Sequence, residues 1–365
     1  QGFRLRPAPV LSGPFSHRQV CLVAARDRGG ERLEGCWQKA RVRTGCAMAR
    51  GGWCWMYVFA WVIIPLALIL AVLLEEPVVT KLDPHNPPVA SSEAEQPAED
   101  FGVATESMGS GKMFDNIASV YDATNFWMSL GLDTYWRNKL IKDCMRLESQ
   151  DRILDLATGT ADVSILAASE LQELDSDLPT QSVLGVDPSS EMLRIGVGKV
   201  SKFGGAVRLV KGDAQNLNTV RNITIEGDLA DPTDGVATGS IDKISMAFGI
   251  RNVPDRSLAL REMRRVLRKQ DRSRVCILEF AIPSGETFLS GIARAFITHV
   301  IPFIGTVATA GSGSVEYKYL ERSILKFPQP MDFAASMAKE GLGVDSITTF
   351  AYGAVHLYSA SPIGS

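Results

Sequence analysis

From Phe114 onward, apolar and polar positions follow two rhythms. Apolar residues recur at helical spacing through Ile117, Val120 and Tyr121, and again through Trp136, Leu140 and Ile141. Short apolar runs then appear at 152–157, 182–187, 207–212, 241–248 and 275–280, each of strand length. Helical patterns fill 161–174, 189–200, 255–268 and 286–300. Strand alternating with helix predicts a parallel sheet covered on both faces. The last runs, 344–350 and 353–360, have no helix between them and predict a terminal antiparallel hairpin. The expected fold is therefore α/β, a Rossmann-like, seven-stranded, mostly parallel sheet over residues 111–365. No internal repeat is present.

The pattern upstream is different. Residues 53–74 form an uncharged run of 22 residues, WCWMYVFAWVIIPLALILAVLL. As a helix it is long enough to span a bilayer, and its tryptophans suit an interface. It reads as a transmembrane helix or signal anchor, with a cleaved signal or a core helix as the alternatives. Residues 75–108 hold eight Asp/Glu, one Lys and five Pro. That composition predicts a disordered linker over 75–110. If the run spans a membrane, Arg50 before it and Glu75 and Glu76 after it predict residues 1–50 on one side and the downstream body on the other.

Charge is spread unevenly. The net charge is -3, yet residues 1–52 carry ten Lys/Arg and three Asp/Glu, a net of +7, so the rest carries -10. The basic segment reads as a presequence or a non-native upstream stretch rather than a nucleic-acid arm, Met48 resembling an initiator. An acidic body argues against a nucleic-acid partner. The six cysteines, Cys21, Cys36, Cys46, Cys54, Cys144 and Cys276, include no C-x-x-C pair. Neither a metal site nor a disulfide framework is expected, and Cys144 and Cys276 read as ordinary core residues.

Candidate chemistry sits at successive strand ends. The first predicted strand ends in Asp155-Leu156-Ala157-Thr158-Gly159-Thr160. A strand, a glycine turn and a helix start make a nucleotide site at the carboxyl edge of a sheet. Gly159 lets backbone approach a ligand, helix-start N–H groups bind a carboxylate, and Asp155 is a candidate acceptor for an ammonium group. Asp187, 28 residues on, can accept from ribose hydroxyls. Asp213 can accept from an adenine amino group while the Ala214 N–H reads a ring nitrogen. Three acids in this order point to S-adenosylmethionine. A dinucleotide site wants G-x-G-x-x-G, and this turn has only Gly159.

Longer segments add a resemblance. They are MFDNIASVYDATNFWMSLGLDTYW at 113–136, LDLATGTAD at 154–162, MAFGIRNV at 246–253, ILEF at 277–280, HVIP at 299–302 and YKYLERSILKFP at 317–328. On these the chain resembles the ubiquinone/menaquinone biosynthesis C-methyltransferase family, from Met113 to about Ser359. The resemblance implies a class I S-adenosylmethionine methyltransferase fold, with donor contacts at Thr160, Asp187, Asp213 and Ala214. It has departures. Ala161 stands where the family usually has a second glycine, Asp133 replaces a histidine and Thr124 a methionine. The P-G-G turn is absent at 268–272, and 217–239 is longer than usual.

The implied reaction methylates a ring carbon of a polyprenylated benzoquinol or naphthoquinol. Arg251 and Asn252 are the candidate catalytic residues, stabilising the developing phenolate or holding a water, with His299 a candidate base. Tyr121, Asn125, Tyr317 and Tyr319 are candidate acceptor contacts. The implied partners are the prenylated quinol, a membrane, and a homodimer or a quinone-biosynthesis complex. The implied place is the mitochondrial inner membrane, with a plastid membrane as alternative. Two other functions stay open: methylation of another small apolar acceptor, and a non-catalytic scaffold.

Overall fold

Runs of Val, Ile and Leu bounded by turns form the parallel centre of the sheet. They are β2 (Ile153–Leu156), β3 (Val183–Asp187), β4 (Val207–Asp213), β7 (Lys243–Ala247) and β8 (Arg274–Phe280). The computed structural model describes residues 75–89, 111–129, 131–223, 229–300 and 314–364. The basic segment 1–52 and the apolar run 53–74 lie outside the described residues. Among those described, no helix is long and apolar enough to cross a membrane.

The expected terminal hairpin is present. Strands β9 (Leu342–Phe350) and β10 (Val355–Pro362) pair antiparallel, and β10 pairs antiparallel with β8. Among the described residues the sheet has ten strands rather than the seven expected; with β1 (Val78–Lys81), β5 (Asn216–Ile223) and β6 (Leu229–Asp234) the order is β1-β9-β10-β8-β7-β2-β3-β4-β5-β6. The long segment after β4 supplies two of the extra strands, β5 (Asn216–Ile223) and β6 (Leu229–Asp234), an antiparallel hairpin. Leu217 and Val220 of that hairpin are buried, which fixes it to the core.

The third extra strand corrects the linker reading. Val78–Lys81 forms β1 and pairs antiparallel with β9. Net composition masked three β-branched residues, Val78, Val79 and Thr80, whose backbone completes the sheet edge.

Helices cover both faces. On one face α2 (Leu132–Lys139), α3 (Asp162–Leu174) and α4 (Ser190–Val200) bury Trp136, Leu171 and Leu193. On the other, α5 (Arg256–Val266) and α8 (Pro330–Lys339) bury Leu260, Met263 and Phe333. Caps set two of the starts: the Ser189 hydroxyl accepts from the Met192 N–H, and the Asp255 carboxylate from that of Leu258. Three further helices surround the carboxyl edge: α1 (Lys112–Ser129), α6 (Phe288–Ala295) and α7 (Ser314–Leu325).

One core reading is overturned. Cys144 and Cys276 are both buried as expected, but they are joined by a disulfide. The turn Leu140–Met145 lies against β8 and brings the two Cα atoms to 6.0 Å. A separation of 132 residues hides this pairing in the sequence.

Candidate active site

Two cavities open side by side at the carboxyl ends of the parallel strands. The first, about 690 Å³ of empty space, is bounded by Gly159, Asp187, Asp213, Ala214, Phe248 and Asn252. Of the expected donor contacts, Gly159, Asp187, Asp213 and Ala214 line it, and Asp155 and Thr160 line a smaller cavity. Gly159 has φ +56°, which its lack of a side chain permits, and its N–H donates to Asp187 Oδ2 at 2.9 Å. Asp187 Oδ1 accepts from the Ser189 N–H at 2.8 Å. Burial pushes the Asp187 carboxyl up to about 6, against these lowering hydrogen bonds. Asp213 is half-buried at the cavity wall and accepts from Gln215.

Asp155 lines the smaller cavity at the donor turn. It is buried and accepts from three hydroxyls: Thr158 at 2.6 Å, Ser164 at 2.8 Å and Ser245 at 2.8 Å. These three bonds hold the turn. Burial raises its pKa from the usual carboxylate value. Ala161, at the position of the family's second glycine, has φ +72° at the start of α3. The local backbone thus still asks for glycine there, and alanine bears the strain.

Thr160 belongs to a network that the sequence did not reveal. Its hydroxyl donates to Asp122 Oδ1 at 2.7 Å and accepts from Lys199 at 2.9 Å. Lys199 also binds Asp122 at 2.6 Å and Asp162 at 3.0 Å. Asp115 accepts from the Ser189 hydroxyl at 2.5 Å. Asp115 and Asp122 therefore latch α1 across the donor turn and the start of α4. This gives α1 a physical reason to wall the site.

The second cavity, about 780 Å³, is mainly apolar, with Phe114, Met128, Phe280 and Ile324 among its walls. The candidate acceptor contacts Tyr121, Asn125 and Tyr319 line it together with the candidate catalytic residues Arg251 and Asn252. Burial pushes the Tyr121 and Tyr319 phenols up. Tyr121, Phe248 and Asn252 belong to both cavities, so the two sites share one wall.

Arg251 is held from behind. Its Nη1 donates to Glu279 Oε1 at 2.5 Å and to the Phe248 carbonyl at 2.7 Å. Its backbone N–H donates to Glu279 Oε2 at 3.2 Å. The Nε–H remains, buried and without a hydrogen-bond partner. Glu279 escaped the sequence reading, though a lone acid inside the apolar strand ILEF was its signal. Ser129, Asp133 and Arg137 form a polar corner of the same cavity. There Arg137 pairs with buried Asp133, which also accepts from Ser129 at 2.8 Å. Thr124, the other helix departure, turns its buried hydroxyl back to the Val120 carbonyl at 2.8 Å.

Two expected residues stand apart from these walls. His299 is exposed in the turn Phe296–Val300 and is not among the residues that line either cavity. Tyr317 falls within α7, but its side chain lies outside the described set. Among the described residues no cluster of His, Cys, Asp and Glu could hold a metal ion.

Known proteins bear on this geometry. The family model described as "ubiE/COQ5 methyltransferase family" matches residues 103–361. The chain is similar to the ubiquinone/menaquinone biosynthesis C-methyltransferase of Geotalea uraniireducens, 35% identical over 242 residues, 66% of this chain and 89% of that protein. It is also similar to the demethylmenaquinone methyltransferase of Thermus thermophilus, 33% identical over 246 residues, 67% of this chain and 98% of the relative. A SAM-dependent methyltransferase structure from Aquifex aeolicus overlaps 63% of this chain and 90% of its own, at 14% identity and a TM-score of 0.40. The family match runs from before β2 to the penultimate residue of β10 and takes in both cavities, and the chain belongs to the ubiE/COQ5 methyltransferase family.

Proposed function

We propose that this chain transfers the methyl group of S-adenosylmethionine to a ring carbon of a prenylated benzoquinol or naphthoquinol. The observation that carries the reading is the shared wall. Tyr121, Phe248 and Asn252 touch both cavities, so a donor in one can meet a ring in the other. The names of the similar bacterial enzymes support a quinol acceptor.

The donor cavity fits S-adenosylmethionine. Asp187 accepts ribose hydroxyls, Asp213 and the Ala214 N–H read the adenine edge, and Gly159 lets backbone approach. Beside Thr160, a smaller cavity of about 330 Å³ is lined by Arg137, a cation suited to the donor's carboxylate. Bound there, the donor supplies an electrophilic methyl on a sulfonium centre. Placing that methyl against the ring carbon is worth about 7–11 kcal/mol in favourable cases.

Arg251 lines the acceptor cavity, where its guanidinium can donate to a ring oxygen. Arg251 thereby favours the quinolate, the electron-rich form, and Asn252 orients it. The new C–C bond forms as the S–C bond breaks, and the ring carbon then releases its proton. A water held by Arg251 takes that proton, since guanidinium cannot.

The remaining readings are part of the same proposal. The acceptor's isoprenoid tail calls for a membrane setting, and the inner mitochondrial membrane fits best, with a plastid membrane as the alternative. Transfer of labelled methyl to a prenylated quinol tests the reaction, and a panel of other apolar acceptors tests the substrate class. Calorimetry with no donor binding would indicate a scaffold instead.

A further inference from the structure

The edge strand β1 fixes where the chain enters the catalytic body. Val78 pairs with Thr349, Thr349 with His356, and His356 with Glu279, so these four residues form one row across the sheet. Neighbouring strands lie about 4.8 Å apart, which puts Val78 about 14 Å from Glu279, the residue that holds Arg251. The uncharged run 53–74 ends at Leu74, four Cα steps before Val78. Those steps reach about 14 Å at most. Glu75 shortens the path further, because both its carboxylate oxygens accept from the Tyr352 N–H at 3.1 Å. The tether between run and body is therefore short, and it leaves from the same edge as the acceptor cavity.

The two edges of the sheet differ in chemistry. At the carboxyl edge, Phe288 of α6 is 82% exposed and Phe126 of α1 is 53% exposed. Helix α6 lies beside the turn Ala351–Gly353 that Glu75 grips, through contacts joining Ala293, Phe296 and Ala351. At the amino edge, charges dominate. Arg268 pairs with Asp242 at 2.7 Å, and Arg272 with Asp151 at 2.6 Å and Glu148 at 2.7 Å. Lys269 is exposed in the same loop.

We propose that the carboxyl edge of the sheet, with the mouth of the acceptor cavity, lies against a lipid bilayer, held there by the 53–74 run through the short β1 tether. A bilayer is the occupant favoured by an apolar run of membrane-spanning length joined three residues before the body. It also presents exposed aromatic side chains to the interface they suit. A prenylated quinol could then enter the cavity without leaving the lipid. The placement itself is independent of the quinol reading; only its use in substrate entry rests on it.

Two measurements on the full chain in phosphatidylcholine–phosphatidylglycerol vesicles test this. The first reads placement. With Cys21, Cys36, Cys46 and Cys54 changed to Ser, a fluorophore is attached after Phe288→Cys or after Lys269→Cys. Shallow spin-labelled lipid should quench the label at position 288 at least threefold more than that at 269; equal or reversed quenching overturns the proposal. The second reads use. Twenty Gly/Ser residues inserted between Glu76 and Pro77 should lower methylation of a long-tailed quinol in vesicles about tenfold. Methylation of a water-soluble short-tailed quinol should not change. Unchanged turnover of both overturns delivery by the tether. If the intact chain methylates neither quinol, the proposed function fails, while the quenching result still decides the placement.

Discussion

Arg251 Nη1 lies 2.5 Å from Glu279 Oε1, with the arginine side chain 7% exposed and the glutamate fully buried. This buried pair faces the acceptor cavity from β8 and the turn after β7. Its consequence is that the guanidinium is neutralised and fixed at the cavity wall. Glu279→Gln keeps the shape and removes the charge. Breaking a buried pair on one side costs about 3–5 kcal/mol. Denaturant unfolding of that variant should show a loss of this order, and kcat should fall while S-adenosylmethionine affinity holds. Unchanged stability would mean that the pair is not closed in solution.

Asp187 sets a pH dependence. Its folded carboxyl titrates near 6 against a usual value of 3.8, so between these the folded state holds a proton that the unfolded state has lost. Ligand-free stability contributed by this group is complete below about pH 4 and declines as pH rises through about 6. Donor binding runs the other way, because the carboxylate form accepts the ribose hydroxyls. Calorimetry should show S-adenosylmethionine affinity rising between pH 5 and pH 7. Asp187→Asn should flatten that profile and weaken binding about 10- to 100-fold, the equivalent of charged hydrogen bonds worth about 1.5–3 kcal/mol.

Ala161 bears a left-handed backbone, φ +72°, without the freedom of glycine. Ala161→Gly should relieve about 1 kcal/mol of strain, less the small loss from a buried methyl. A modest rise in the unfolding midpoint with full activity is the expected outcome. A fall would show that packing against the neighbouring helix outweighs the strain.

The Cys144–Cys276 disulfide ties the helical layer to β8 across 132 residues. Removing it by Cys144→Ala with Cys276→Ala should lower stability by about 2–4 kcal/mol. Mass analysis of the intact protein with and without alkylation before reduction should find both thiols blocked. Free thiols at both positions would contradict the bond.

Much of this architecture was legible in the chain. The five central strands and the terminal hairpin follow from short apolar runs between helical patterns, which a parallel sheet requires. Asp187 and Asp213 were legible because a strand's last residue points to the sheet's carboxyl edge whatever the loops do. What escaped depends on long-range pairing. Backbone pairing of β1 with β9 joins segments more than 260 residues apart and leaves no periodic trace. The β5–β6 hairpin was seen only as extra length. The Asp155 bond with Ser245 also escaped, because only the folded sheet brings the two together. His299 was chosen for its apolar neighbours, but it is exposed and is not among the residues that line either cavity.

The central claim is that Arg251 acts on an acceptor bound beside a separately held methyl donor. The direct test follows labelled methyl transfer from S-adenosylmethionine to a prenylated quinol by the intact chain and by Arg251→Ala, with donor affinity measured in parallel. Loss of one such oxyanion-stabilising donor lowers kcat by about 10²–10³. The prediction is a fall of that size with donor affinity unchanged; full activity in the variant, or equal loss of donor binding, would contradict it.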